Sequence, residues 1–539
     1  MEEKSAHSSS NRGFLILSIA GLLTKVISVF YIPLLQRIIG LDGYGIYQNC
    51  YEVFLFVYAV TNLGTQPAIA KVVAELIAVG KPNDAVRALK ISRTMLALVG
   101  ATLTIFLMLF AFPIGRAIGN PEASYGILML APSIFVTSIL SSYRGYFQGR
   151  NSMSAIAISQ VLEQVINILI SLTCAFFLIK ISVAYGSAGG TIGTSIGAFV
   201  ACLYMIYIYG KKNFEEDSVE AQGNNKRVRT KHIIKKLIKY GLPITLCSGL
   251  QNFGSLVDMV NVNARLAFAG FTMQESQILY GVLGRYKTLL SVPLIIVTAL
   301  GTTVLPAVAA AMALKDKKEI RRKTTFAFRM TFIITIPAAI GFSALGREVF
   351  ELLYGTDQGF ELMVIGSVVL ILMAAVQIQT VILQSMNKLY FVLGTFSIGI
   401  IAKIIANYIL VGMPSINILG VVAGNFLWFA IPMFLNQRAL KKALRVKIHL
   451  FRNIIKPLIA SVIMAGVIFI IKSPVSSLIM ITKGGTMLRG ITTLLIIAIA
   501  GFVYLYLMIL LGGIRKSDID SISPKIFNVL PRFLRMKLK

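Results

Sequence analysis

Apolar residues along this chain fall into long blocks separated by short polar breaks. About 20 mostly apolar residues are enough for a helix to cross a bilayer. Blocks of that length or more lie near 14–36, 44–68, 94–115, 124–145, 155–179, 187–209, 240–264, 277–306, 326–346, 361–384, 390–412, 416–436, 454–473 and 487–511. Several contain proline (Pro33, Pro67, Pro132, Pro243, Pro293, Pro306, Pro337, Pro432). Spanning helices tolerate it because neighbouring groups re-satisfy the freed backbone carbonyls. The pattern predicts an all-α polytopic membrane protein with about fourteen transmembrane helices.

One long polar stretch interrupts the blocks, KKNFEEDSVEAQGNNKRVRTKHIIKKLIK at 211–239. It separates six spans from eight, and the two halves echo each other. Gly64-Thr65-Gln66-Pro67-Ala68 is similar to Gly301-Thr302-Thr303 with Pro306-Ala307. Gln148 and Asn151 fall opposite Gln384 and Asn387, Glu163 and Asn167 opposite Lys403 and Asn407, and Gly189 and Gly193 opposite Gly420 and Gly424. The echo predicts two six-helix bundles related by a pseudo-two-fold axis along the membrane normal, with two extra helices at the C-terminal end. Folds of this kind bind their cargo between the halves and rock to give alternating access. The expected division is a cytoplasmic N-terminal tail (1–13), an N-terminal lobe (14–210), a basic cytoplasmic linker (211–239), a C-terminal lobe (240–437), a basic cytoplasmic loop (438–453), two additional spans (454–512) and an amphipathic basic tail (513–539). The tail's alternation of Ile526, Phe527, Leu530, Phe533 and Leu534 with Lys525, Arg532, Arg535 and Lys537 suits the anionic inner leaflet.

Composition narrows the function. Of 539 residues 56% are hydrophobic and only 14% charged, which excludes a water-soluble globular enzyme. Lysine and arginine number 52 against 22 acids, a net charge of +30. Most of these cations fall in every second loop between the blocks, so the excess follows the positive-inside rule and places both termini in the cytoplasm. It does not point to nucleic acid. Cys50, Cys174, Cys202 and Cys247 have no metal-ligand spacing and read as free buried thiols. His7, His232 and His449 lie in polar segments, outside the apolar blocks. The chain has no GxxxxGK[ST], GxSxG or HExxH motif. No metal, nucleotide or catalytic group is expected.

The remaining candidates are charges inside apolar blocks, each costing at least about 2.5–3.5 kcal/mol at the bilayer centre. They are Lys25, Glu52, Glu163, Asp258, Arg285, Lys287 and Lys403, with Arg37, Asp42, Arg144 and Arg265 near block ends. Lys25, Arg285 and Lys287 lie on the early helices of the two halves and suit a cationic pocket for a phosphate or pyrophosphate; Arg144 and Lys403 extend the cationic set. The opposing reading is internal salt bridging to Glu52, Glu163 or Asp258. Asp258, with Asn261 and Asn263 nearby, either holds a coupling cation or pairs with Arg265. Glu52, Glu163, Asp258 and Asn407 are thus candidates for ion or proton coupling or for structural bridges. Energy would come from a monovalent cation or from the membrane potential.

Particular motifs carry a likeness. They are Ala20-Gly21-Leu22-Leu23-Thr24-Lys25, Gly40-Leu41-Asp42-Gly43-Tyr44-Gly45-Ile46-Tyr47-Gln48, Arg144-Gly145-Tyr146-Phe147-Gln148-Gly149, Gln160-Val161-Leu162-Glu163-Gln164 and Ala299-Leu300-Gly301-Thr302-Thr303-Val304-Leu305-Pro306. Through them the chain resembles the SpoVB/YtgP polysaccharide-transport group of the multidrug/oligosaccharidyl-lipid/polysaccharide (MOP) exporter superfamily, which includes the Gram-positive MurJ-like lipid II flippases. The resemblance implies fourteen spans in the bacterial cytoplasmic membrane, a cationic central cavity and export of an undecaprenyl-linked peptidoglycan precursor. Lipid II, a sporulation-specific precursor and another lipid-linked glycan all fit. It further implies membrane lipids and peptidoglycan polymerase machinery as partners. Lys25 falls where MurJ-like proteins carry a first-span arginine, and Lys287 or Arg285 at their eighth-span arginine. The stretch Phe54–Tyr58 lacks their second-span arginine, and Ile32 stands where many relatives have one. One alternative has the same architecture, a MATE-like drug/cation antiporter, which favours acidic cavity residues; another is of a different class, a polyprenyl-sugar transferase, for which Asp42 is the one weak candidate.

Overall fold

The computed structural model describes the backbone of residues 2–211, 227–314, 316–386, 388–444, 450–481 and 486–514, without the side chains of 2–20 and some others, Lys25 among them. Among the described residues there is no strand. The helices are α1 (Glu2–Tyr58), α2 (Thr65–Ala78), α3 (Pro82–Ala117), α4 (Ala123–Gly149), α5 (Met153–Leu178), α6 (Val183–Lys211), α7 (Thr230–Phe268), α8 (Met273–Ala313), α9 (Lys317–Tyr354), α10 (Phe360–Gly366), α11 (Val368–Ser385), α12 (Leu389–Leu410), α13 (Gly420–Leu444), α14 (Leu450–Ile481) and α15 (Thr486–Leu510). Twelve helical stretches among the described residues are long and apolar enough to cross a membrane. The chain is a multi-pass membrane protein; the first two of the fourteen blocks run together in one stretch, Phe30–Ala78.

Local chemistry sets the ends. Pro82 opens α3, where its missing N–H is no loss. Asp316 caps α9 by accepting the backbone N–H groups of Lys318 and Glu319 at 2.9 and 3.0 Å. Gly355 ends α9 in the left-handed region, at φ 75°.

The helix boundaries depart from the blocks in three places. The first two blocks share one continuous helix, α1, broken only at Gly40, whose φ of 77° suits glycine. A π-helical turn at Ala59–Leu63 then passes into α2. The block at 361–384 divides into α10 and α11 around Ser367. The linker read at 211–239 is shorter than that, because 230–239 already belongs to α7. Those residues fold because Ile233 and Leu237, four apart, bury against α2, α3, α4 and α6. Lys236 also pairs with Glu75 at 2.7 Å. Residues 212–226 and the tail from 515 lie outside the described residues, as does Asn387.

The chain gathers into two compact units. The first holds residues 1–285 and 389–424, the second 286–388 and 425–539. In the first, α1 to α7 pack with α12 and the start of α13. In the second, α14 and α15 pack on α9. Large apolar side chains on outer faces, such as Leu98, Leu109 and Phe177, stay exposed, as expected where lipid replaces water as the solvent.

Candidate functional site

Glycines on both helices bring α1 and α8 together. A Cβ on Gly45 would lie 1.9 Å from the Gln277 carbonyl oxygen, and one on Gly281 2.4 Å from that of Leu41. A Cβ on Gly284 would meet the Gln48 side chain at 2.7 Å. Only glycine permits this backbone approach. The seam leads directly to Arg285, which is 2% exposed and donates its Nε–H to Gln36 Oε1 of α1 at 2.9 Å.

Lys287 is half-buried two residues further along α8. Two positions on an α-helix are about 200° apart around the axis, so Arg285 and Lys287 leave α8 on opposite sides. Lys25 lies on α1, but its side chain is outside the described residues.

Other sequence candidates form internal ion pairs. Arg144 of α4 reaches Glu163 of α5 at 2.7 Å and donates its Nε–H to the Ser159 hydroxyl at 3.0 Å. Lys403 of α12 lies 3.0 Å from the Asp258 carboxylate of α7, with side chains 0% and 1% exposed. Asn407, one turn on, donates to the other carboxylate oxygen at 2.9 Å. Arg265 is not the partner of Asp258: its guanidinium sits between the rings of Phe268 and Tyr408, 3.9 and 4.1 Å from their centres. Asn261 donates to the Ile404 carbonyl and Asn263 to Asn49 and the Ile118 carbonyl. Glu52 is buried on α1.

The halves echo structurally at these charges. A Cβ on Gly193 or Gly197 of α6 would strike the backbone of Asn167 or Glu163 in α5. A Cβ on Gly424 of α13 would lie 2.0 Å from Asn407 Oδ1 and 3.4 Å from Lys403 Cγ in α12. In both halves a glycine helix seats the helix bearing the charged residue and the asparagine four positions on. The glycines of the Arg144-to-Gly149 motif likewise seat α4 on α2: Gly145 faces Gln66 and Ile69, Gly149 faces Ala70 and Val73.

One feature escaped the reading by charge. Tyr44, Tyr47, Tyr51, Phe54 and Tyr58 follow one another along α1 with neighbouring ring centres 5.4–5.9 Å apart, the first three stacked and the last two pairs tilted. Tyr58 lies within electrostatic reach of Glu163 and Arg144. The three- and four-residue spacing of these rings was the available sign.

Comparison with known proteins agrees with this architecture. A family model described as polysaccharide biosynthesis protein matches residues 10–312, more than half of the chain. Three relatives are from Bacillus subtilis (strain 168). The uncharacterized membrane protein YabM is 25% identical over 98% of this chain and 97% of its own length. Stage V sporulation protein B is 24% identical over 81% of this chain and 85% of its own. The lipid II flippase MurJ is 24% identical over 94% and 96% respectively. A solved structure of lipid II flippase MurJ in an inward closed conformation superposes with a TM-score of 0.66 at 16% identity, covering 92% of this chain and 98% of that one. With its helical spans, its repeat-related glycine seams and a family match over more than half its length, the chain belongs to the polysaccharide biosynthesis protein family.

Proposed function

We propose that this protein is an alternating-access flippase. Its cargo would be an undecaprenyl-pyrophosphate-linked peptidoglycan precursor, lipid II or a related lipid-linked oligosaccharide, carried across the bacterial cytoplasmic membrane. The observation that carries the reading is the fully buried Arg285 of α8, held by Gln36 of α1. A charge held in an apolar helix costs at least about 2.5–3.5 kcal/mol and so marks a functional place by default. A guanidinium held by Gln36 is suited to phosphate oxygens. The similarity to a lipid II flippase along nearly the whole chain supports the same cargo class.

In this mechanism the cations draw the pyrophosphate from the cytoplasmic leaflet. The sugar headgroup travels in a sheltered polar path while the polyprenyl tail stays in lipid. Moving about two negative charges outward gains roughly 4–5 kcal/mol at 100 mV, inside negative. That is enough to drive export without nucleotide hydrolysis. The chain moves its cargo without making or breaking a bond in it, with both termini in the cytoplasm and peptidoglycan polymerases as the consumers of the product.

The test is depletion of a cell's own lipid II flippase, with the native chain or its Lys25/Arg285/Lys287 triple-alanine variant supplied instead. Lipid II exposed on the outer leaflet is scored. Restoration by the native chain alone supports cargo and pocket together. No restoration by a native chain present in the membrane rules lipid II out as cargo.

A further inference from the structure

Asp258, Lys403 and Asn407 form a polar island sealed in the first unit. None is more than 1% exposed. Lys403 Nζ lies 3.0 Å from one carboxylate oxygen of Asp258, and the Asn407 amide donates to the other at 2.9 Å. The Asn407 carbonyl oxygen has no hydrogen-bond donor among the described residues. It points at Gly424, where a Cβ would lie 2.0 Å away. The cations and amides nearby on α7 are engaged elsewhere: Arg265 between Phe268 and Tyr408, Asn261 on the Ile404 carbonyl, Asn263 on Asn49.

A carboxylate buried this deeply is either paired with a cationic side chain or bound to a metal ion. A mobile ion can leave during a transport cycle; a covalently attached ammonium cannot. We propose that the Lys403 ammonium is a built-in counter-cation for Asp258. The protein therefore works without a small coupling cation at this place. Removing the ammonium leaves the buried Asp258 carboxylate uncompensated, a place for a small monovalent cation. A carboxylate is a hard oxygen donor, and sodium and lithium are the monovalent ions that suit it. The proposal concerns the ion chemistry of the chain and does not rest on the identity of the cargo.

The experiment uses the full-length chain in lipid nanodiscs, with choline chloride replaced stepwise by sodium chloride at constant ionic strength. Thermal unfolding and binding of radioactive sodium are measured together. The native protein is expected to show no saturable sodium binding and no sodium-specific rise in its midpoint. Lys403→Ala is expected to unfold earlier in choline and to recover saturably in sodium or lithium. The double variant Lys403→Ala/Asp258→Asn is expected to ignore both ions. Saturable sodium binding by the native protein that is lost in Asp258→Asn overturns the proposal. So does a folded Lys403→Ala that responds to neither ion. Where Lys403→Ala does not fold, Lys403→Gln takes its place, and the native response to sodium still decides the first claim.

Discussion

Arg285 gives its Nε–H to Gln36 Oε1 at 2.9 Å, joining α8 to α1 across 249 residues of sequence. Gln36 holds the guanidinium without cancelling its charge. Gln36→Glu is expected to keep the contact and the fold but to lower the net positive charge at Arg285 by one. Export should then fall steeply while the amount in the membrane is unchanged. Gln36→Leu leaves a buried charged donor without this acceptor and should cost about 1–3 kcal/mol of stability. Quantitative membrane blots beside outer-leaflet lipid II separate the two effects.

The Lys403–Asp258 pair makes a different demand. Breaking a buried pair from one side leaves an uncompensated charge and typically costs about 3–5 kcal/mol. Lys403→Met and Asp258→Asn are each expected to fall in that range in choline medium. The double variant should be markedly milder than the sum, because it removes both charges. A double-mutant cycle on thermal stability measures the coupling. Additive single effects would show that the pair contributes nothing.

Arg144 and Glu163 pair more openly, with side chains 10% and 28% exposed. Removing either is expected to cost only about 1–2 kcal/mol. The charge-swapped variant Arg144→Glu/Glu163→Arg is expected to recover both membrane level and export. Recovery of level without export would assign the Arg144 charge to the cargo instead of to the helix pair.

Hydropathy made the spans legible because each block is long and nearly free of charge. The echo between halves was legible because the glycines and polar residues recur in order. Partner choice was not. Asp258 sits seven residues from Arg265, yet pairs with Lys403 on a helix distant in sequence. Helix packing sets that distance, and no local spacing records it. Arg285 and Lys287 read as one pocket until helical geometry sends them to opposite sides of α8. The motifs around Gly43-Tyr44-Gly45 and Arg144 to Gly149 carried the family likeness. Their glycines permit close helix contact, which a sequence reveals only when both partners are known.

That role of the glycines leads to a paired test. A Cβ at Gly45 or Gly281 would push into the backbone of the facing helix, at 1.9 Å from Gln277 O and 2.4 Å from Leu41 O. Backbone cannot swing aside as a flexible side chain can, so α1 and α8 must separate. Overpacking of this kind typically costs about 1–3 kcal/mol, and it shifts Arg285 away from Gln36. Gly394, within α12, has nothing within 4 Å of where a Cβ would stand. There alanine gains helix propensity of roughly 0.5–1 kcal/mol. Gly45→Ala and Gly281→Ala are therefore expected to lower thermal stability and export together, while Gly394→Ala raises stability slightly and leaves export intact. The contrast isolates close packing from the general effect of adding a methyl group. Equal behaviour of the three variants would remove the glycine seam as the element that places Arg285.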